Sequence, residues 1–146
     1  MKKNIFVLAL ISGLCTSFTA TAVEIESGTP ITTTDCSLLG EQVTLNLSNN
    51  VSGAYTCDET NSIIKVAACH KAGSRKPTDV LCAVVTPANG TDPAVYNDSS
   101  CQSVGPDQKF EITDYRGYVA SSLGGSVAPQ QLGGNCETTS IDALVN

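Results

Sequence analysis

Apolar and polar residues alternate in several short runs. In Gln42–Ser48, Val43, Leu45 and Leu47 alternate with Thr44, Asn46 and Ser48, which is the period-2 signature of a strand with one buried face. After the turn-forming pair Asn49-Asn50, the run Val51–Cys57 reads as a second strand. Its Gly53 marks a bulge or a close backbone approach. Ser62–Cys69 places Ile64, Val66 and Ala68 on one face and Ile63, Lys65 and Ala67 on the other, as alternation along a strand requires. Asp79–Thr86 is a nearly unbroken apolar run, which predicts a strand covered on both faces. Lys109–Tyr115 alternates Phe110 and Ile112 with Glu111 and Thr113.

Helical patterning is weaker. Thr113–Gly125 fits either a short helix capped by Asp114 or a continuation of the preceding strand. Gly117 disfavours the helix by about 1 kcal/mol relative to Ala. The terminal run SIDALVN is too short to hold a helix by itself. The stretch SSLGGSVAPQQLGGNC repeats Leu-Gly-Gly and reads as loop. Five or more short strands separated by segments dense in turn formers predict an all-β domain, a small disulfide-braced sandwich or barrel-like body with long loops.

The first residues set the compartment. Lys2 and Lys3 precede an apolar run from Ile5 to Leu14, and the small-residue triplet Ala20-Thr21-Ala22 follows. That is the pattern of a secretory signal peptide, and the run is far short of the roughly 20 residues that span a bilayer. Cys15 follows Leu14 rather than the small residue that normally precedes a lipid-modified cysteine. The expected organisation is a signal peptide over 1–22, an N-terminal extension over 23–35 and a disulfide-braced β domain over 36–146, with no transmembrane segment in the mature chain. The destination is periplasmic or extracellular, secreted or at the cell surface, and the two-lysine start has a bacterial character.

Removing the leader takes away Lys2, Lys3 and Cys15. Six basic residues then face fourteen acidic ones, a net charge of −8. This balance argues against nucleic acid as a partner, since phosphates need a basic face. Six cysteines remain: Cys36, Cys57, Cys69, Cys82, Cys101 and Cys136. An even count in an exported chain predicts three disulfides. Spacing leaves the connectivity open, a Cys69–Cys82 bond across a hairpin being one possibility and bonds to different neighbouring strands another. With no CxxC pair, neither a zinc ribbon nor a redox motif is indicated.

The stretch VAACHKAGSRKPTDVLC, Val66 to Cys82, holds the only histidine and three of the six basic residues that outlast the leader. Gly73, Ser74 and Pro77 make its middle a loop, and the expectation is a β-hairpin with a long basic tip. His70, Lys71, Arg75 and Lys76 are the leading partner-binding candidates, and Tyr96 is a second, aromatic one within Ala88–Ser100. Neighbouring residues on a strand point to opposite faces, so Cys69 and His70 do not suggest a metal site, and neither metal nor cofactor is expected.

Catalytic patterns are sparse. A Ser-His-Asp or Cys-His site would have to use His70, and neither GxSxG nor HExxH occurs. Asp58, Glu59, Glu111 and Asp114 could serve a carboxylate-dependent hydrolase only by their presence. Four N-x-S/T sequons, at Asn46, Asn50, Asn89 and Asn97, become candidate surface glycan sites in a eukaryotic secretory pathway. The expected function is that of an exported, non-catalytic β-module, a binding or surface-structural protein acting through exposed loops on an unknown protein or glycan; the basic loop would suit an anionic partner, or else is a solvated tip whose charges keep a strand edge from pairing. The alternative is a small secreted inhibitor or toxin-like effector.

Overall fold

The computed structural model describes residues 21–146. The expected signal peptide therefore lies outside the described residues, except for its last two. In chain order the strands are β1 (Val23–Glu24), β2 (Pro30–Ile31), β3 (Val43–Thr44), β4 (Val51–Asp58), β5 (Ile63–His70), β6 (Thr78–Leu81), β7 (Val84–Thr86), β8 (Val95–Tyr96), β9 (Lys109–Ile112), β10 (Arg116–Ser121) and β11 (Val127–Gln131). The helix α1 (Thr138–Val145) follows them. The protein is a disulfide-braced all-β domain with antiparallel sheets.

Its frame is a five-stranded sheet in the order β1-β4-β5-β10-β11. β4 and β5 form a hairpin in continuous register from Val51↔His70 to Asp58↔Ile63. β5 then pairs with β10 from Gly117↔Cys69 to Ser121↔Lys65. Segment 23–35 contributes directly: β1 pairs with β4, and β2 pairs with β3.

The two faces of this sheet are covered differently. On one face Ala54, Ala67, Val119 and Ala128 pack against Ile141 and Val145 of α1 and against Val85. Small side chains there let the helix come close. At Gly117 an added Cβ would run into the Leu144 side chain and lie 3.2 Å from Leu132 Cδ2. This docking supplies what the eight-residue helix lacks in length. On the other face Ile31, Leu39, Val43 and Leu45 close over Tyr55, Ile64 and Val66, leaving an apolar cavity of about 150 Å³.

Four expected elements differ. The run Gln42–Ser48 pairs as a strand only at Val43–Thr44, although Val43, Leu45 and Leu47 are half-buried while Thr44, Asn46 and Ser48 are exposed. Opposite it the chain turns through Gly28, at φ 80°, and Leu47 N–H donates to Ser27 Oγ instead of a backbone carbonyl. The apolar run Asp79–Thr86 is two strands, broken at Cys82-Ala83. β6 joins β9 while β7 joins β8, so its apolar side chains serve two clusters. Cys82 sits with Cys101, Phe110 and Ile112, and Val85 sits in the main core. Thr113–Gly125 is neither helix nor extension, because β10 leaves the β6–β9 pair and enters the main sheet. Finally, the stretch read as a Leu-Gly-Gly loop contains β11, an edge strand that tolerates Pro129 because a sheet edge does not need its missing N–H.

The six cysteines among the described residues are all bonded, as Cys36–Cys57, Cys69–Cys136 and Cys82–Cys101, each with Cα atoms 5.7 Å apart. Three carboxylates flank the first bond. Asp35 accepts from Thr32 N–H and Oγ1, at 2.8 and 2.7 Å. Asp58 accepts from Asn61 Nδ2 and N–H, at 2.7 and 3.0 Å. Glu59 accepts from Ser37 N–H at 3.1 Å. Hydrogen bonds from these donors hold all three carboxyls below their ordinary values. A lowered native pKa stabilises above the unfolded value and is lost as pH falls through the native one. On acid titration below about pH 4, the amide proton resonances of Thr32, Ser37 and Asn61 are expected to shift together while thermal stability falls. NMR and melting curves over that range test this; amides indifferent to pH would contradict it.

Candidate functional site

Residues 70–78 do not form a hairpin tip. β5 and β6 lie in different sheets, so the segment is a crossover between them, and Cys69 bonds Cys136 rather than Cys82. The hairpin expectation failed because the true neighbours of β5, β4 and β10, compete for both its edges.

The crossover is nonetheless well fixed. Lys71 N–H extends the β4–β5 ladder by donating to Asn50 O at 2.8 Å. Gly73 N–H donates to His70 O at 2.8 Å, and Ala72 N–H to His70 Nδ1 at 3.0 Å. With Nδ1 accepting, His70 is an anchor for the turn as well as an exposed ring. A Cβ at Gly73 would lie 2.9 Å from His70 O, so only glycine fits this tight return. Lys76 N–H then donates to Ser74 Oγ at 3.2 Å.

Two residues of the β10 entry complete the corner. The Arg75 guanidinium stands over the Tyr115 ring, 5.2 Å from its centroid, a geometry favourable for cation–π attraction. Arg116 Nη2 donates to Lys76 O at 2.8 Å and to Thr78 Oγ1 at 2.5 Å. Lys71, Arg75, Lys76 and Arg116, four of the six basic residues after position 22, thus gather on one rim. The other two, Lys65 and Lys109, lie within β5 and β9. Beside the rim Lys71, Tyr115, Asn135 and Glu137 line a shallow depression of about 370 Å³. Arg116 and Tyr115 carried no sign of this role in the sequence. Thirty-nine or more positions separate them from Lys76, and only the β5–β10 pairing brings them near.

The remaining candidates fall elsewhere. Tyr96 is half-buried in β8 and packs against the Cys82–Cys101 cluster, and the structure does not join it to the basic rim. Asp58 and Glu59 are engaged at the Cys36–Cys57 bond. Asp114 Oδ1 accepts from Tyr115 N–H at 2.7 Å, and Glu111 is exposed on β9 opposite Asp79. Among the described residues no three metal-capable side chains cluster, and no helix is long and apolar enough to cross a membrane.

No family model, curated protein or solved structure matches this chain.

Proposed function

We propose that this is an exported, non-catalytic β-module that holds an anionic partner on its basic rim. The observation carrying this reading is the gathering of Lys71, Arg75, Lys76 and Arg116 on one edge of a chain with net charge −8 after its leader. Dispersed solvating charges would not need two strands and a crossover to assemble. Concentrated on one rim, they attract and orient an acidic group while the rest of the surface repels it. The three disulfides suit an oxidising compartment, and Cys69–Cys136 anchors the end of β5 that leads into the rim, which lowers the entropy lost on binding. A glycan rich in carboxylate or sulfate is the partner class that best fits exposed Lys and Arg flanking a tyrosine ring.

Retention on immobilised heparin tests the reading. Wild-type protein is expected to bind at about 50 mM salt and elute as screening shortens the reach of its charges. The triple variant Lys71→Ala, Arg75→Ala, Lys76→Ala is expected to flow through with its disulfides and melting temperature nearly intact, because all three side chains are exposed. Equal retention of the two proteins would refute it.

A further inference from the structure

The face of the main sheet turned away from α1 is only partly covered. The register sets one row of side chains across all five strands, Val23, Tyr55, Val66, Ala120 and Val127. The next row toward the basic rim is Gly53, Ala68, Tyr118 and Pro129. The covering segment closes over β4 and β5. On β10 and β11, by contrast, Tyr118 is 51% and Val127 66% exposed, with Ala120 and Pro129 half-buried between them. A contiguous apolar patch of this kind marks a contact surface.

Charge around the patch has one sign at one end. Side chains alternate along each strand, so Glu24 and Asp58, the only carboxylates in the five strands, stand on the helix side. There Glu24 Oε1 accepts from Thr138 Oγ1 at 3.1 Å. Arg116 and His70 belong to the open face, at the end that leads into the basic rim. Asp35 lies at the opposite, β1 side, beside Tyr55, with its carboxylate taken by Thr32.

The apolar cavity of about 150 Å³ adjoins the patch at Val66, which lines it and pairs with Ala120. No charged side chain lines this cavity, and a cavity walled in this way stays dry and takes apolar molecules. From Val66 to the row of His70 and Arg116 is four residues along β5, roughly 13 Å.

We propose that this face binds a single fatty acid. The tail enters the cavity beside Val43, Leu45 and Val66, the chain lies across Ala120 and Tyr118, and the carboxylate sits in the positive field at the Arg116 end. A carboxylate-free apolar floor with a dry cavity at one end and bases at the other matches an alkyl chain with one acidic head. The head rests on the reading of the rim as a site for anions; the chain contacts do not.

Titrating the isotope-labelled protein with octanoate, decanoate, dodecanoate and decanol, each below its aggregation concentration, and following amide resonances by NMR tests the proposal. Saturable shifts at Val43, Val66, Tyr118 and Ala120 are expected. Each pair of added methylenes tightens binding about tenfold. Decanoate outbinds decanol at least about tenfold at low salt, and the preference shrinks as salt screens the head. The double variant Tyr118→Ser, Val127→Ser, both exposed and therefore free to change without unfolding the sheet, binds decanoate at least about tenfold more weakly and keeps its retention on heparin. Absence of saturable shifts, indifference to chain length, equal affinity for decanol, or an unchanged response in the double variant each overturns the proposal. So does a concentration-dependent dimer, abolished in that variant and unresponsive to decanoate, which assigns the face to a second copy. Failure with decanoate in a protein that heparin retains overturns this inference alone, whereas preference for decanoate in a protein that heparin does not retain supports it and overturns the glycan reading.

Discussion

Replacing Cys69 and Cys136 together by alanine is expected to destabilise the fold by about 4 kcal/mol, against about 3 kcal/mol for each of the other two pairs. The ranking follows from loop length. Cys69–Cys136 spans 67 positions, whereas Cys36–Cys57 spans 21 and Cys82–Cys101 spans 19, and the chain entropy that a crosslink removes from the unfolded state grows with the logarithm of that span. Location adds to it. Cys69 is in β5, at the centre of the main sheet, and Cys136 lies two residues before α1. Glu137 caps that helix without a side-chain hydrogen bond, so its attachment depends on the disulfide below it and on Ile141 and Val145 packing above. Urea unfolding of the three double variants in oxidising buffer measures the order. Loss of the weak helical signal in Cys69→Ala, Cys136→Ala, ahead of sheet unfolding, is the accompanying sign. Equal losses for all three pairs would contradict the entropic ranking.

Local sequence pattern revealed some elements in advance and hid those that depend on distant neighbours. Period-2 alternation located β5 and β9 well, although β5, like the β4 read from its run Val51–Cys57, is covered on both faces and only β9 has one exposed face. It marked both faces of β5 correctly, and the Asn49-Asn50 turn recurs with Asn50 at φ 64°. Gly53 proved a close approach and not a bulge: its position faces Ile25 Cδ1 at 3.3 Å within an unbroken register. Even cysteine count predicted three bonds, but connectivity depends on which strands become neighbours, and that is a nonlocal choice. The failures share that cause. An apolar run such as Val80–Val85 looks continuous whether it crosses one sheet or is divided between two cores. A glycine-rich segment such as 121–136 looks like loop until β10 offers it an edge. Most of the basic site was legible for the same reason: Lys71, Arg75 and Lys76 lie close together in sequence, whereas Tyr115 and Arg116 reach them only through the pairing of β5 with β10.

Asn97→Asp is expected to destabilise the protein by about 3 kcal/mol at neutral pH, although it changes a single atom in a sequon. Asn97 is 2% exposed. Its Oδ1 accepts from Ala83 N–H at 2.8 Å, and its Nδ2 donates to Leu81 O at 3.0 Å and to Pro129 O at 3.2 Å. One side chain therefore spans the break between β6 and β7 and fastens it to the outer side of β11. Aspartate keeps the acceptor but turns the donor into an oxygen facing two carbonyl oxygens. Burial and that repulsion raise the carboxyl's pKa in the native state. A raised native pKa in an acid destabilises above the unfolded value, and the deficit shrinks as the group is protonated. The difference in melting temperature between wild type and Asn97→Asp should accordingly narrow toward about pH 4, even as the wild type itself loses stability through Asp35, Asp58 and Glu59. Asn97→Ala, which leaves Leu81 O and Pro129 O unpaired without adding charge, should lose about 2 kcal/mol with no such narrowing. A gap independent of pH in the aspartate variant would show that the carboxylate escapes to solvent and that β11 is not tied down there. Because Nδ2 is committed to two carbonyls, Asn97 is also closed to glycan attachment in the folded protein, whereas Asn46, Asn50 and Asn89 are exposed. The residue that looks in sequence like one surface sequon among four is the strut that joins the small disulfide lobe to the main sheet.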